Sequence, residues 1–259
     1  MKRIKRTLKN LLPKEEFSTA LNKPLFVVSL HKSGSHLITN VLRHIGLVKK
    51  SVGSEISPTV LKQLKPNEFV FSHSSPADNA VYDMIERKEI SVIFNYRDPR
   101  DVVVSRFNWQ HPKNTKVTNT TREFLKKVHT RFKDDQEFLQ FIIRGEQHMI
   151  HEMNFIDQFK LSRGLLFHPY VFKTNFETLV GSKGGGDDLA QLEMIRGLLQ
   201  YLEIERDAQY LADSAFSAKS KTFHTGKIGA HKDVFSKKTL SLFNALHSQM
   251  LKDYCYEIH

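Results

Sequence analysis

The chain has 259 residues, enough for one large α/β domain, and its 40% hydrophobic and 26% charged residues exclude a disordered chain, a collagen-like fibre and a coiled coil. Lys and Arg number 39 against 28 Asp and Glu, a formal net charge of +11 with a pI near 9.6; a surplus of that size points to an anionic partner, whether nucleic acid, an acidic membrane face, a phosphorylated small molecule or a charged glycan. The single cysteine, Cys255, excludes an intramolecular disulfide and a cysteine-rich zinc site, and fits a reducing, cytoplasmic setting.

Residues 1–23 read as a basic N-terminal arm or helix, followed by one domain over residues 24–259. In the arm Ile4, Leu8, Leu11 and Leu12 keep a helical period among Lys2, Arg3, Lys5, Arg6 and Lys9. A solvated helix explains this pattern, and a weak peripheral contact with an anionic membrane is the alternative. No apolar run approaches the roughly 18–20 residues of a spanning helix, and no signal-type apolar stretch follows the basic start.

Three short apolar runs rich in Val, Ile and Phe, at residues 24–30, 68–72 and 90–96, do not alternate. They are expected to be parallel strands covered on both faces. A fourth is expected within 166–175, where Pro169 disturbs its start. Leu37, Ile38, Val41, Leu42 and Ile45 form one helical stripe ended by Gly46. Further helical patterns cover about 77–88, 99–110, 135–144, 147–160, 187–202 and 238–253. The glycine-rich segment 181–188 reads as a mobile surface loop before the helical C-terminal third. Strands alternating with helices define an α/β fold: a single P-loop-like domain with a central, mainly parallel sheet flanked by helices. Ligands of such sheets bind where the strands end.

Two strand ends carry anion chemistry. After the first strand, His31-Lys32-Ser33-Gly34-Ser35-His36 leads into a helix, so unpaired amides, a lysine and two hydroxyls gather at a helix N-terminus. A capped helix with a surface lysine is the plainer reading. The Walker A pattern is absent, which weighs against a P-loop-type kinase or nucleotide hydrolase. After the third strand, Asp98, Pro99 and Asp101 are those of a well-capped helix start and need no other explanation. Arg97 stands at the strand end, where its fork suits a phosphate, and Ser105 lies two turns along the same helix.

With these segments in view, the chain resembles the PAPS-dependent sulfotransferases. Residues 24–42 (PLFVVSLHKSGSHLITNVL) resemble their 5′-phosphosulfate segment, residues 93–107 (IFNYRDPRDVVVSRF) their 3′-phosphate segment, and residues 222–238 (TFHTGKIGAHKDVFSKK) their C-terminal RKGxxGDWKNxF segment. The order is the family's, and the resemblance extends over about 24–255. It implies 3′-phosphoadenosine-5′-phosphosulfate as sulfuryl donor, no metal, and a hydroxyl- or amine-bearing acceptor, whether small molecule, glycan or lipid, with no nucleic acid. By the same resemblance Lys32 supports the leaving group, and Ser33, Gly34, Ser35 and His36 hold the 5′-phosphate. Arg97 and Ser105 bind the 3′-phosphate. His73, in Phe71-Ser72-His73-Ser74, matches the histidine of the family's KTH segment and is expected to be the general base.

The chain also departs from the family. Leu37 stands where the adenine-stacking Trp is usual, leaving Phe216 as an adenine contact. Phe176 stands for a Tyr, Ser72 for a Lys, and His224-Thr225-Gly226 for the RKG that grips the 3′-phosphate; His224, Lys227 or Lys232 are the candidates to replace it. Acceptor choice is expected in residues 74–80, 108–133 and the C-terminal lid. The competing reading is a non-catalytic basic protein that binds a polyanion, marked by a steep salt dependence.

Overall fold

The computed structural model describes residues 21–52, 56–111, 119–145, 155–216 and 227–258. The chain enters the sheet through β1 (Leu25–Ser29), turns into helix α1 (Ser35–Ile45), and adds a short edge strand β2 (Val48–Lys49) and α2 (Pro58–Lys62). Next come β3 (Glu68–Ser72), α3 (Asn79–Glu86), β4 (Ser91–Tyr96) and α4 (Pro99–Gln110). Helices α5 (Asn119–His129), α6 (Asp135–Arg144), α7 (Phe155–Leu161) and α8 (Arg163–Phe167) precede β5 (Val171–Asn175) and the short α9 (Phe176–Leu179). The C-terminal third carries α10 (Asp188–Leu202), α11 (Ala208–Ala215), α12 (His231–Val234) and α13 (Lys237–Asp253).

The five strands run in the order β2-β3-β1-β4-β5, and every pairing is parallel. The absence of alternation in the strand sequences follows from burial on both faces. Phe26, Val28, Val70, Val92 and Phe94 pack under α3, α4, α6 and α13, while Leu25, Val27, Phe69 and Ile93 pack under α1, α10 and α11. β1 lies at the centre, with β3 on one side and β4 on the other. Chain connections therefore diverge at the carboxyl end of β1, the crevice where doubly wound sheets bind ligands.

Local signals account for most boundaries. Gly46 adopts φ 105° and ends α1 by donating its N–H to backbone carbonyls of the last turn. Asp98 caps α4 and Pro99 occupies its first turn. The fourth strand is shorter than expected, because residues 166–167 belong to α8 and only Val171–Asn175 pair with β4. Sequence periodicity missed β2, α2, α5, α8, α9, α11 and α12; all but the eleven-residue α5 are eight residues or fewer.

The 181–188 segment is a folded turn. The Gly186 N–H donates to Gly181 O at 2.8 Å, the Ser182 N–H to Asp188 Oδ1 at 2.8 Å, and a Cβ on Gly186 would stand 2.5 Å from Glu177 O. Close backbone packing accounts for the glycine at 186. Residues 1–20 of the expected arm lie outside the described residues, but Leu21 is buried in the core and its N–H bonds Pro66 O. Among the described residues no helix is long and apolar enough to cross a membrane.

Candidate active site

The loop after β1 is built to expose donors. Lys32 (φ 65°) and Gly34 (φ 75°) both take the left-handed conformation, folding the backbone into the concave shape that binds anions. Gly34 also has no room for a side chain, since a Cβ would meet Phe176 Cδ2 at 2.6 Å. No side chain caps α1 behind it, so its first-turn amides and dipole face outward. Asn95 on β4 holds the loop from below. Its amide nitrogen donates to Ser29 Oγ at 2.9 Å and Ser33 O at 2.8 Å, while its oxygen accepts from Thr174 at 2.9 Å. Lys32 Nζ sits 4.5 Å from the centre of the Trp109 ring on α4.

His73 follows β3 and lies against this loop. Its Nδ1 is 2.8 Å from Ser29 O. A carbonyl can only accept, so Nδ1 carries the proton and Nε2 of the neutral ring keeps its lone pair. His31 stacks on His73 with ring centroids 4.1 Å apart, and Phe71 meets it edge-on at 5.0 Å. Burial pushes the His73 pKa below the ordinary value; the Ser29 bond opposes that shift, and Lys49, His36 and Lys32 reinforce it. His31 is driven down to about 3 by burial and by the charges of His73, Arg106 and Lys32. Two stacked neutral imidazoles therefore stand beside the anion loop at neutral pH.

The end of β4 is organised differently. Asp98 caps α4 through the Arg100 N–H, and its carboxylate also receives Arg100 Nε and Nη2. Arg97 is buried, with Nη2 donating to Lys227 O at 2.9 Å and to Asp101 Oδ2 at 3.4 Å, and its guanidinium 4.1 Å from the Phe176 ring centre. Asp101 does more than support the helix start. It accepts from the Gly229 N–H at 2.8 Å, the His231 N–H at 3.0 Å and His231 Nδ1 at 2.7 Å. Burial raises its pKa, but the His231 bonds and the Arg97 charge outweigh that and leave it below the usual carboxylate value. The C-terminal segment is thus fastened onto α4 across about 130 residues of sequence.

The expected site residues fall into three groups. Lys32, Ser33, Gly34, Ser35, His73 and Arg97 gather at the ends of β1, β3 and β4, and Ser105 lies half-buried one turn beyond Asp101 on α4. His36 is exposed on the first turn of α1, while Leu37 is buried against Phe176 and the core. Phe216 ends α11 and packs half-buried beside the α1 core face. His224, Thr225 and Gly226 lie outside the described residues. Lys227 pairs with Asp233 at 2.6 Å on the surface, and its carbonyl meets Arg97. Sequence reasoning missed Asn95, His31 and the tie between Asp101 and His231. Asn95, a lone polar residue inside an apolar strand, was a readable signal.

Among the described residues, Ser33 Oγ and Arg97 Nε are buried donors without a hydrogen-bond partner. Such groups cost stability unless a ligand satisfies them. Together with the uncapped α1 amides and Lys32 they form a donor set suited to a phosphate-bearing anion.

No protein-family model matches the chain, and no curated protein matches it in sequence. Solved structures do. The mouse sulfotransferase SULT7A1 complexed with PAP aligns with a TM-score of 0.63 at 16% identity, covering 90% of this chain and 86% of that one. Retinol dehydratase in complex with androsterone and inactive cofactor PAP gives 0.56 at 14% identity, covering 89% and 82%. A second retinol dehydratase structure, with retinol and PAP, gives 0.52 at 14% identity over the same shares. The chain has the cytosolic-type sulfotransferase fold.

Proposed function

We propose that the protein is a sulfotransferase that uses 3′-phosphoadenosine-5′-phosphosulfate and a hydroxyl- or amine-bearing acceptor. The observation that carries this reading is His73, held by Ser29 O so that Nε2 keeps its lone pair beside the uncapped start of α1. Bound at the β1 loop, the donor supplies a sulfuryl group that passes in line to the acceptor as its bond to a phosphate oxygen breaks. His73 Nε2 accepts the proton of the attacking group, and its lowered pKa keeps it neutral and ready at pH 7. Lys32 and the amides of Ser35 and His36 offset the negative charge left on the bisphosphate. Ser33, Arg97 and Ser105 position the nucleotide; Arg97 exchanges contacts with the C-terminal segment as it does so. The likeness to PAP-bound sulfotransferases supports the donor class. The one cysteine in the chain supports a reducing, cytoplasmic location.

Calorimetric titration with 3′-phosphoadenosine 5′-phosphate, beside ATP with Mg²⁺, tests the reading. Tight binding of the bisphosphate and little of ATP is expected. His73→Ala should bind the bisphosphate within a few-fold of wild type and lose about 10²–10⁴ in turnover of labelled donor. No bisphosphate binding, with salt-steep binding of polyanions instead, would favour a non-catalytic basic scaffold.

A further inference from the structure

Just past Trp109, three helices meet at one point. α4 ends there at its cap residue His111, α5 ends at His129, and α6 begins at Asp135. The Nε2 atoms of His111 and His129 lie 3.4 and 3.2 Å from the same Asp135 Oδ1. One ligand-capable atom from each residue falls within 4.8 Å of the other two. The imidazoles are 5.0 Å apart and T-shaped. Each also meets a buried phenylalanine at 5.3 Å, His111 on Phe107 and His129 on Phe138, which restricts how the rings can turn.

These contacts have the distances of ion pairs, but the His129 contact lacks hydrogen-bond alignment: among the described residues, buried His129 Nε2 has no hydrogen-bond partner although a carboxylate oxygen stands 3.2 Å away. That combination arises when two ligands aim at a shared point and not at each other. For a tetrahedral ion with bonds of about 2.0–2.1 Å, neighbouring ligand atoms stand about 3.3–3.4 Å apart. The separations of 3.4 and 3.2 Å lie within about 0.2 Å of that edge. Two imidazoles and one carboxylate are also a donor set for a borderline divalent ion, unlike the all-oxygen sets of Mg²⁺ and Ca²⁺.

We propose that His111, His129 and Asp135 form a zinc site, with the fourth position left to water on the exposed side of Asp135. The ion would join the ends of α4 and α5 to the start of α6. Because Trp109, the partner of Lys32, precedes His111 by two residues, such a clamp would also steady the α4 end of the candidate active site. The family resemblance implies no metal, and spacing hides this set because the three residues stand 18 and 6 positions apart in the chain. The proposal stands whether or not the donor assignment does.

The full chain, stripped of metal by chelation, is titrated with Zn²⁺ by calorimetry and with Co²⁺ by visible absorption. One saturating equivalent, the intense bands of tetrahedral Co²⁺ and a rise in Tm with Zn²⁺ are expected. Affinity should increase from pH 6 to 8 as the histidines lose their protons. His111→Ala, His129→Gln and Asp135→Asn should each weaken binding beyond the roughly 10–100-fold typical of outer-shell changes. Asp135 is exposed and Asp134 caps α6, so Asp135→Asn should keep the fold, as circular dichroism would verify. Failure of the folded wild type to bind Zn²⁺ saturably overturns the proposal, as does equal binding by the wild type and Asp135→Asn, which would place the ion on other histidines.

Discussion

The two helix starts that flank the centre of the sheet differ in how their polar groups are satisfied. α1 begins after Gly34 with no side-chain cap, and the loop before it contains a buried hydroxyl with no partner among the described residues. α4 begins with Asp98 as cap and Pro99 in the first turn, and Asp98, Arg97 and Asp101 are engaged with Arg100, Lys227, Gly229 and His231. The first end leaves polar groups open among the described residues. The second uses its charges to hold the chain together, with Arg97 Nε the one side-chain donor of Arg97 left without a partner among the described residues. Charged residues at a strand end therefore do not identify a ligand site by themselves; what matters is which of them the fold leaves unsatisfied.

The sharpest way to break this contrast is at Asp101. Asp101→Asn leaves Arg97 and His231 without their buried carboxylate and should cost about 3 kcal/mol, on the order of 10 °C in Tm. Because the folded-state pKa of Asp101 is lowered, its contribution is present above the unfolded value of about 3.8 and lost as pH falls through the folded value. Thermal melts should show that acid loss in the wild type and not in the variant. An unchanged Tm would mean that the C-terminal segment is not fastened there.

Ser33→Ala tests the other end. Removing a hydroxyl that makes no hydrogen bond among the described residues should leave Tm unchanged or slightly raised, while weakening bisphosphate binding by about 10-fold, as for a lost hydrogen bond to a charged group. A drop in Tm with unaltered binding would reverse the roles of the two ends.

The smallest effect is expected at His31. With His73 held below the ordinary histidine value, kcat/KM should stay on its plateau to a pH below about 6.5 before falling. His31→Ala admits water to the face of His73, which should raise its pKa and move this acid limb to higher pH. A pH–rate profile that does not move would assign His31 to packing alone.

Much of the fold was legible in the sequence because it is written in local terms. Unbroken Val, Ile and Phe runs mark strands covered on both faces, and Gly46, Asp98 and Pro99 mark helix ends through backbone conformations that few residues satisfy. The short elements were harder. Val48–Lys49 is exposed and pairs only at an edge, and α11 is an eight-residue helix held by packing on α1 and α10. The glycines of 181–188 carry the signature of a loose loop, yet Gly186 is there because Glu177 O leaves no space for a Cβ.

By itself the sequence determined the parallel α/β layout, the loop at Lys32–Ser35 between strand and helix, and the strand-end positions of His73 and Arg97, because these depend on residue type and short-range order. Only the tertiary structure decided which nitrogen of His73 is free, that Asp101 fastens the C-terminal segment, that Leu37 turns into the core, and that His111, His129 and Asp135 meet. Each of those depends on atoms brought within about 3 Å of one another by elements far apart in the chain, a proximity that hydrogen bonds and metal ligation require and that sequence spacing does not encode.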